Sequence, residues 1–219
     1  MRWVYQRDDT TAISLVLPEG KNQVTLLGVL LAAEEVYVGA DQAQIRYDNN
    51  SGEVWDRVPS AKLSQLGELP VVWGYWGDVQ AGEAFRESVM TSPPISTWRE
   101  LGQNLGPELR RLTQEREPRA PRIGALFAGF LEGRSNYLEI DQHGMCLTGM
   151  DLQEECWFSG NGRIAARVGY ETARRLQPEV AKTSHFAVAF EVTIEKVDIL
   201  QGPLALWCVT KDGTVTQLS

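Results

Sequence analysis

Sulfur and imidazole ligands are scarce in this chain of 219 residues. It has three cysteines, at Cys146, Cys156 and Cys208, and two histidines, at His143 and His185. No two cysteines have the CxxC spacing, and disulfide-rich domains and structural zinc sites both need more ligands than this set provides. The sequence therefore excludes a disulfide framework and predicts neither a metal nor another cofactor.

Basic charge and long apolar runs are lacking as well. The 21 Lys and Arg are outnumbered by 29 Asp and Glu, which gives a net charge of −8 at pH 7. Nucleic-acid binding is disfavoured, because it depends on basic side chains that contact phosphates. The longest apolar run, from Leu26 to Ala33, stops at Glu34 and falls far short of the roughly 18 residues of a membrane helix. With no secretory signal at its start, we expect a soluble, cytoplasmic protein without nucleic-acid or membrane partners.

The chain is nevertheless rich enough in apolar residues to fold without disulfides or bound metals. Apolar side chains make up 43% of it, and a chain of this size buries on the order of 70% of the surface that its unfolded form exposes. Because the sequence has no repeat, linker or low-complexity segment, we interpret it as one domain.

Apolar patterning in the first half predicts strands followed by helices. Two apolar runs, Val24 to Ala33 and Val36 to Ala40, indicate a hairpin that is buried on both faces. Leu69 to Tyr75 indicates another buried strand, and Asp78 can cap the helix after it. The apolar spacing from Ser96 to Glu117 is typical of one face of a longer helix.

The second half repeats that order. Strands are predicted first, then a helix that follows Gly160-Asn161-Gly162 and turns Ile164, Val168 and Leu176 inward. The segment from Thr183 to Val197 fits a strand and a helix equally well. The strands before these two segments are Ile123 to Phe130 and Asn136 to Ile140. The strands after them are Leu204 to Thr210 and Thr214 to Leu218.

The order of elements suggests how they pack. Separate blocks of strands and helices favour an α+β arrangement over the alternation of a doubly wound sheet. Two antiparallel sheets packed face to face, with a helix pair on each outer side, would bury every apolar run. The predicted fold is therefore a four-layer αββα sandwich.

Several motifs in this order resemble the proteasome β-type subunits and their bacterial relatives, which are N-terminal-nucleophile hydrolases. VYVGADQAQ resembles the second strand of that family, SAKLSQL its lysine segment, and LPVVWGYWGDVQAGEAF the next strand, glycine turn and helix. ALFAGFLEGRSNYLEIDQHG, FSGNGRIAA and VDILQGPLALWCVTKDG follow in the family's order. The resemblance covers nearly the whole chain from about residue 25.

The resemblance implies a site that uses threonine as the nucleophile. In such a site the chain's own α-amine, whose pKa is about 8, takes the hydroxyl proton. Asp41 matches the family's aspartate, Lys62 its lysine, Gly74 the glycine whose N–H stabilises the oxyanion, and Asp198 the aspartate of a later support motif. The resemblance also implies a homo-oligomer, ring-like by analogy, that acts on peptides.

Two positions compete for the nucleophile. Thr25 lies 16 residues before Asp41, which fits the family's first hairpin without a gap. Thr10 and its neighbour Thr11 look more like a threonine-rich start, although they lie farther upstream. With Thr25, the chain divides into an N-terminal extension, 1–24, that is a propeptide or an extra strand, and a proteasome-subunit-like domain, 25–219.

This sequence also departs from the family's pattern. Asn161 and Gln201 stand where the family has serines, and Val24 precedes Thr25 where processed relatives carry glycine. In addition, no α-amine exists at Thr25 unless residues 1–24 are removed.

Three functional hypotheses follow. The first is a proteasome-subunit-like protein with a partly degenerate site. The second is an active threonine-type peptidase or amidohydrolase that cleaves itself before Thr25, and the third is an unrelated binding domain.

Overall fold

The computed structural model describes residues 25–47, 54–59, 61–114, 123–149, 155–160, 162–197, 200 and 203–219. Within these residues, two five-stranded antiparallel sheets lie between two pairs of helices, and two further strands form a separate two-stranded sheet. The predicted four-layer αββα sandwich is confirmed. The extension, 1–24, lies outside the described residues.

The strands come in three groups. In chain order they are β1 (Leu26–Leu31), β2 (Glu35–Asp41), β3 (Ala43–Tyr47), β4 (Val54–Pro59), β5 (Leu63–Gln65), β6 (Val71–Gly77), β7 (Ile123–Leu131), β8 (Arg134–Ile140), β9 (Cys146–Thr148), β10 (Cys156–Gly160), β11 (Leu204–Thr210) and β12 (Val215–Gln217). The first sheet has the order β10-β1-β2-β11-β12, the second has the order β5-β6-β7-β8-β9, and β3 pairs with β4. All pairings are antiparallel.

The helices cover the outer faces of the two sheets. They are α1 (Val79–Thr91), α2 (Trp98–Gln114), α3 (Arg163–Leu176) and α4 (Lys182–Lys196). Asp78 caps α1 as predicted, since its Oδ1 accepts a hydrogen bond from the backbone N–H of Ala81. No helix in the described part of the chain is long and apolar enough to span a membrane.

Three apolar layers hold the sandwich together. One lies between the second sheet and α1 and α2, another between the two sheets, and the last between the first sheet and α3 and α4. The predicted apolar face of α2 is buried in the first of these layers. Because β1 and β2 are covered on both faces, they have continuous apolar runs without alternation.

The segment from Thr183 to Val197, whose pattern fitted both states, is helical as α4 up to Lys196. Phe190 shows how this helix packs against the first sheet. Its ring lies over Gly28 and Gly39, which are directly opposite each other on β1 and β2. A Cβ at either glycine would lie 2.8 Å from the Phe190 Cε2, so the two glycines form a slot that receives one aromatic side chain from the helix layer.

The predicted inward face of α3 is wrong. Ile164, Val168 and Leu176 are 43%, 48% and 70% exposed, whereas Ala166 and Tyr170 are buried. Small residues lie where α3 meets α4, since a Cβ at Gly169 would be 3.6 Å from the Ala189 Cα of α4. The apolar period of α3 is real, but Ala166 and Tyr170 face inward and the larger apolar side chains lie on the outside.

The buried hydroxyl of Tyr170 gives a stability prediction. It has no hydrogen-bond partner among the described residues, and burial raises the pKa of Tyr170 to about 12. We expect Tyr170→Phe to raise the free energy of unfolding at pH 7 by up to ~1 kcal/mol, because a buried hydroxyl without a partner is costly. Between about pH 10 and pH 12 the unfolded chain loses this proton while the folded chain retains it. The wild type should therefore lose stability relative to the variant as the pH rises.

Urea titrations of both proteins at several pH values would measure this difference. Tyr75→Phe is the matched control, since the Tyr75 hydroxyl donates a hydrogen bond to Glu83 Oε1 at 2.7 Å. A gain in stability from Tyr75→Phe as large as that from Tyr170→Phe would contradict the explanation.

Candidate active site

Three residues predicted for the site come together at one end of the strands in the two stacked sheets. Thr25 directly precedes β1, Asp41 ends β2, and Lys62 directly precedes β5 of the other sheet. Because β1 and β2 are antiparallel, the start of the first strand meets the end of the second. All three side chains are buried, Thr25 at 6%, Asp41 at 0% and Lys62 at 8% exposure.

Asp41 connects the other two positions. Its Oδ1 accepts a hydrogen bond from the backbone N–H of Leu26 at 2.8 Å, and its Oδ2 accepts one from Lys62 Nζ at 2.9 Å. The carboxylate therefore fixes the backbone immediately after Thr25 and pairs with a cation from the opposite sheet. Both charges of such a buried ion pair have lost their hydrating water. The pair therefore depends on close contact and on hydrogen bonds to offset the cost of that desolvation.

Burial and the neighbouring carboxylate act on the pKa of Lys62 in opposite directions. Burial lowers the pKa of Lys62 below the ordinary lysine value, while the charge and the hydrogen bond of Asp41 act in the opposite direction. An amine with a lowered pKa exchanges its proton more readily near neutral pH than a solvated lysine does.

Gly160 at the end of β10 packs against the backbone of Thr25. Gly160 has a φ of 82°, and a Cβ there would lie 1.9 Å from the carbonyl oxygen of Thr25. The same Cβ would be 3.4 Å from the Cβ of Trp76 on β6. Only glycine fits this position, which brings β10 and β6 against the start of β1.

Gly74 lies in the middle of β6, between Leu63 of β5 and Leu126 of β7. A Cβ at Gly74 would be 2.7 Å from the carbonyl oxygen of Lys62, so the glycine packs against the backbone of the lysine. Hydrogen bonds alternate in direction along an antiparallel strand. Since the Pro70 carbonyl accepts from the Phe130 N–H of β7, the N–H of Gly74, four residues later, is also directed toward β7.

Other predicted positions lie outside the described residues. They are Thr10, Thr11, Val24, Asn161, Asp198 and Gln201. Within the described part of the chain, no group of three or more His, Cys, Asp or Glu side chains could hold a metal ion.

Sequence reasoning missed one buried acid, Glu139 on β8, which is 5% exposed. Its two oxygens accept hydrogen bonds from Ser159 and Trp157 of β10. A signal was present in the run NYLEI, where an acid interrupts a buried strand, but the pattern of one strand does not show which donors lie opposite it.

A cleft of about 600 Å³ lies at the other end of β1, lined by residues that include Leu31, Glu35, Glu155 and Lys182. Its charged groups are paired with each other or with neighbours, as in the 2.6 Å contact of Lys182 Nζ with Glu155 Oε2. The arrangement of a hydroxyl, a carboxylate and an amine is found at the Thr25 end of the strand.

Comparison with known proteins agrees with this architecture. No family model and no curated protein matches the sequence. Among solved structures, eukaryotic HslV from Trypanosoma brucei superposes with a TM-score of 0.58, covering 84% of this chain and 99% of that one. The chain has the fold of HslV. At 16% identity the similarity establishes the fold and leaves the activity to be argued from the site.

Proposed function

We propose that this chain is a proteasome-subunit-like hydrolase that cleaves peptide bonds with the hydroxyl of Thr25. The observation that carries the proposal is the buried Lys62–Asp41 pair, which is hydrogen-bonded to the backbone next to Thr25. Asp41 and Lys62 are 21 residues apart in the sequence, yet their side chains form an ion pair at 2.9 Å, which supports the proposal. HslV is itself a proteasome-like N-terminal-nucleophile hydrolase, which agrees with this assignment.

The first step would be cleavage of the Val24–Thr25 bond by the chain itself. Thr25 Oγ attacks the carbonyl carbon of Val24 and the C–N bond breaks, so that the acyl group moves to oxygen and the amine of Thr25 takes up a proton. Water then hydrolyses the ester. This step releases residues 1–24 and leaves a free α-amine beside the hydroxyl.

The processed site would then act on a peptide substrate. The α-amine accepts the proton of Thr25 Oγ as the oxygen attacks the substrate carbonyl, and it returns that proton to the leaving amine. Lys62, paired with Asp41 beside the backbone that follows Thr25, supplies positive charge to the site. Water hydrolyses the acyl-enzyme, with the α-amine as its base.

Mass spectrometry of the intact protein tests this proposal directly. We expect a species that begins at Thr25, lost in Thr25→Ala and retained in Thr25→Ser, because serine keeps the hydroxyl. A covalent probe for N-terminal threonine should label the processed wild type. Cleavage before Thr10 that Thr10→Ala abolishes would move the nucleophile to Thr10, and a wild type that keeps Met1 and stays unlabelled would refute the mechanism.

A non-catalytic relic of this fold is the second candidate, and Gly74 is the observation that favours it. The oxyanion role needs the Gly74 N–H to point toward Thr25, whereas the strand register directs it toward β7. A relic would keep its full N-terminus, and Thr25→Ala would leave its folding and assembly unchanged.

Assembly and location belong to the same proposal. By analogy with HslV-like proteins, which form oligomeric rings, we propose a cytoplasmic homo-oligomer. Light scattering of the purified protein would test the assembly, and a monomer at all concentrations would contradict it.

A further inference from the structure

Glu139 is a buried acid in a layer that is otherwise largely apolar. It lies on β8 two residues after Tyr137, so both side chains face the layer between the two sheets. Among the described residues its partners are two neutral donors, and no cation pairs with it. Because burying a carboxyl group is costly, its presence here needs a reason beyond filling the core.

Both donors come from β10, the strand that flanks Thr25. Ser159 Oγ donates to Glu139 Oε1 in a very short contact, and Trp157 Nε1 donates to Oε2 at 2.7 Å. The Trp157 ring also stacks on Tyr137, with 6.0 Å between ring centroids. One carboxyl group of the second sheet thus holds two side chains of β10 in the first sheet.

Holding β10 in place also holds the backbone around Thr25. Ser159 is paired with Leu27, and the next residue, Gly160, is paired with Leu26 and contacts the Thr25 carbonyl. On the other side of β1, Asp41 fixes the N–H of Leu26. The first residues of β1 therefore have one polar anchor on each side.

We propose that Glu139 is a positioning residue for Thr25, acting through Ser159 to hold β10 against the start of β1. The claim that Glu139 holds β10 in place rests on these contacts alone. The claim that this affects the reactivity of Thr25 rests on the proposed function. Ser159 itself is fully buried, so a substrate does not reach it and its hydroxyl serves the strand.

Two variants of Ser159 isolate the hydrogen bond from its surroundings. Ser159→Thr keeps the hydroxyl and Ser159→Val removes it, while both place an extra methyl group in the same buried position. A difference between the two reports the bond to Glu139 and cancels the shared steric cost. This pair is more informative than Glu139→Leu, which removes both bonds and alters the packing.

The amides of β1 point alternately to β10 and to β2, so the amides that face β2 serve as an internal control for hydrogen exchange. The Leu31 N–H donates to Glu155 on the β10 side and the Ala32 N–H to Glu35 on the β2 side. By alternation, the amides of Leu27 and Val29 point to β10, and those of Gly28 and Leu30 point to β2.

We expect the β10-facing amides of Leu27 and Val29 to exchange about tenfold faster in Ser159→Val than in Ser159→Thr, the factor that matches loss of a hydrogen bond worth ~1.4 kcal/mol. The β2-facing amides should exchange equally in both variants. An equal change on both sides of β1, or no change on either, would overturn the proposal.

Labelling of Thr25 provides the second measurement. In processed protein, the N-terminal-threonine probe should react about tenfold more slowly with Ser159→Val than with Ser159→Thr at equal unfolding midpoints. Equal labelling rates would overturn the positioning role. If the wild type is not labelled at all, the proposed function fails, whereas the exchange pattern still decides whether Glu139 holds the strand.

Discussion

Replacing Asp41 by alanine should lower the free energy of unfolding by ~3–5 kcal/mol. The variant removes the carboxylate that pairs with the buried ammonium group of Lys62, 8% exposed, and breaking a buried ion pair by removing one side is strongly destabilising. It also leaves the N–H of Leu26 without its carboxylate acceptor. Chemical unfolding at pH 7 measures the effect.

The double variant Asp41→Ala/Lys62→Met is the control, because it removes both charges and keeps an unbranched side chain in the lysine position. It should recover most of the lost stability. A double variant as unstable as Asp41→Ala alone would show that the lost acceptor of Leu26, and not the broken Lys62–Asp41 pair, determines the effect.

The stability of Asp41→Ala should also depend on pH with a definite sign. Burial already lowers the pKa of Lys62, and removing Asp41 removes the opposing effect. The folded variant then binds the lysine proton less tightly than the unfolded chain does. Its stability relative to the double variant should therefore increase as the pH rises toward the ordinary lysine value of about 10.4. A difference independent of pH would contradict this.

Replacing Phe190 by alanine in the wild type should lower the free energy of unfolding by ~3–5 kcal/mol, the usual range for a buried phenylalanine. Phe190 is fully buried, and its ring centroid lies 5.2 Å from that of Phe186 and 5.6 Å from that of Phe158. Deleting the ring empties the slot formed by Gly28 and Gly39. Thermal and urea unfolding would both detect the loss.

The slot itself can be tested by filling it. Gly39→Ala should destabilise the wild type by ~1–3 kcal/mol, because the new Cβ would lie 2.8 Å from the Phe190 ring. In a Phe190→Leu background the same substitution should cost less, since the shorter side chain leaves room. Equal costs in the two backgrounds would show that the ring and the glycine are not coupled.

The sequence determined the layers of this protein because the pattern that encodes them is local. The runs in β1 and β2 lack alternation because both faces are covered, and the apolar face of α2 repeats with the helical period. The order of strand and helix blocks then allowed few ways to bury these faces, and the αββα sandwich is the one observed.

The tertiary structure decided what depends on contacts between distant residues. The period of α3 gave its apolar face but not its direction, since Tyr170 is buried while Ile164 and Leu176 are exposed. The resemblance proposed Asp41 and Lys62 as partners, but only the stacking of the two sheets brings their charges to 2.9 Å. The strand register likewise directs the N–H of Gly74, and the sheet opposite supplies the donors to Glu139. A sequence carries the periods of its own elements, whereas the distance between two side chains on different sheets exists only after the sheets have packed.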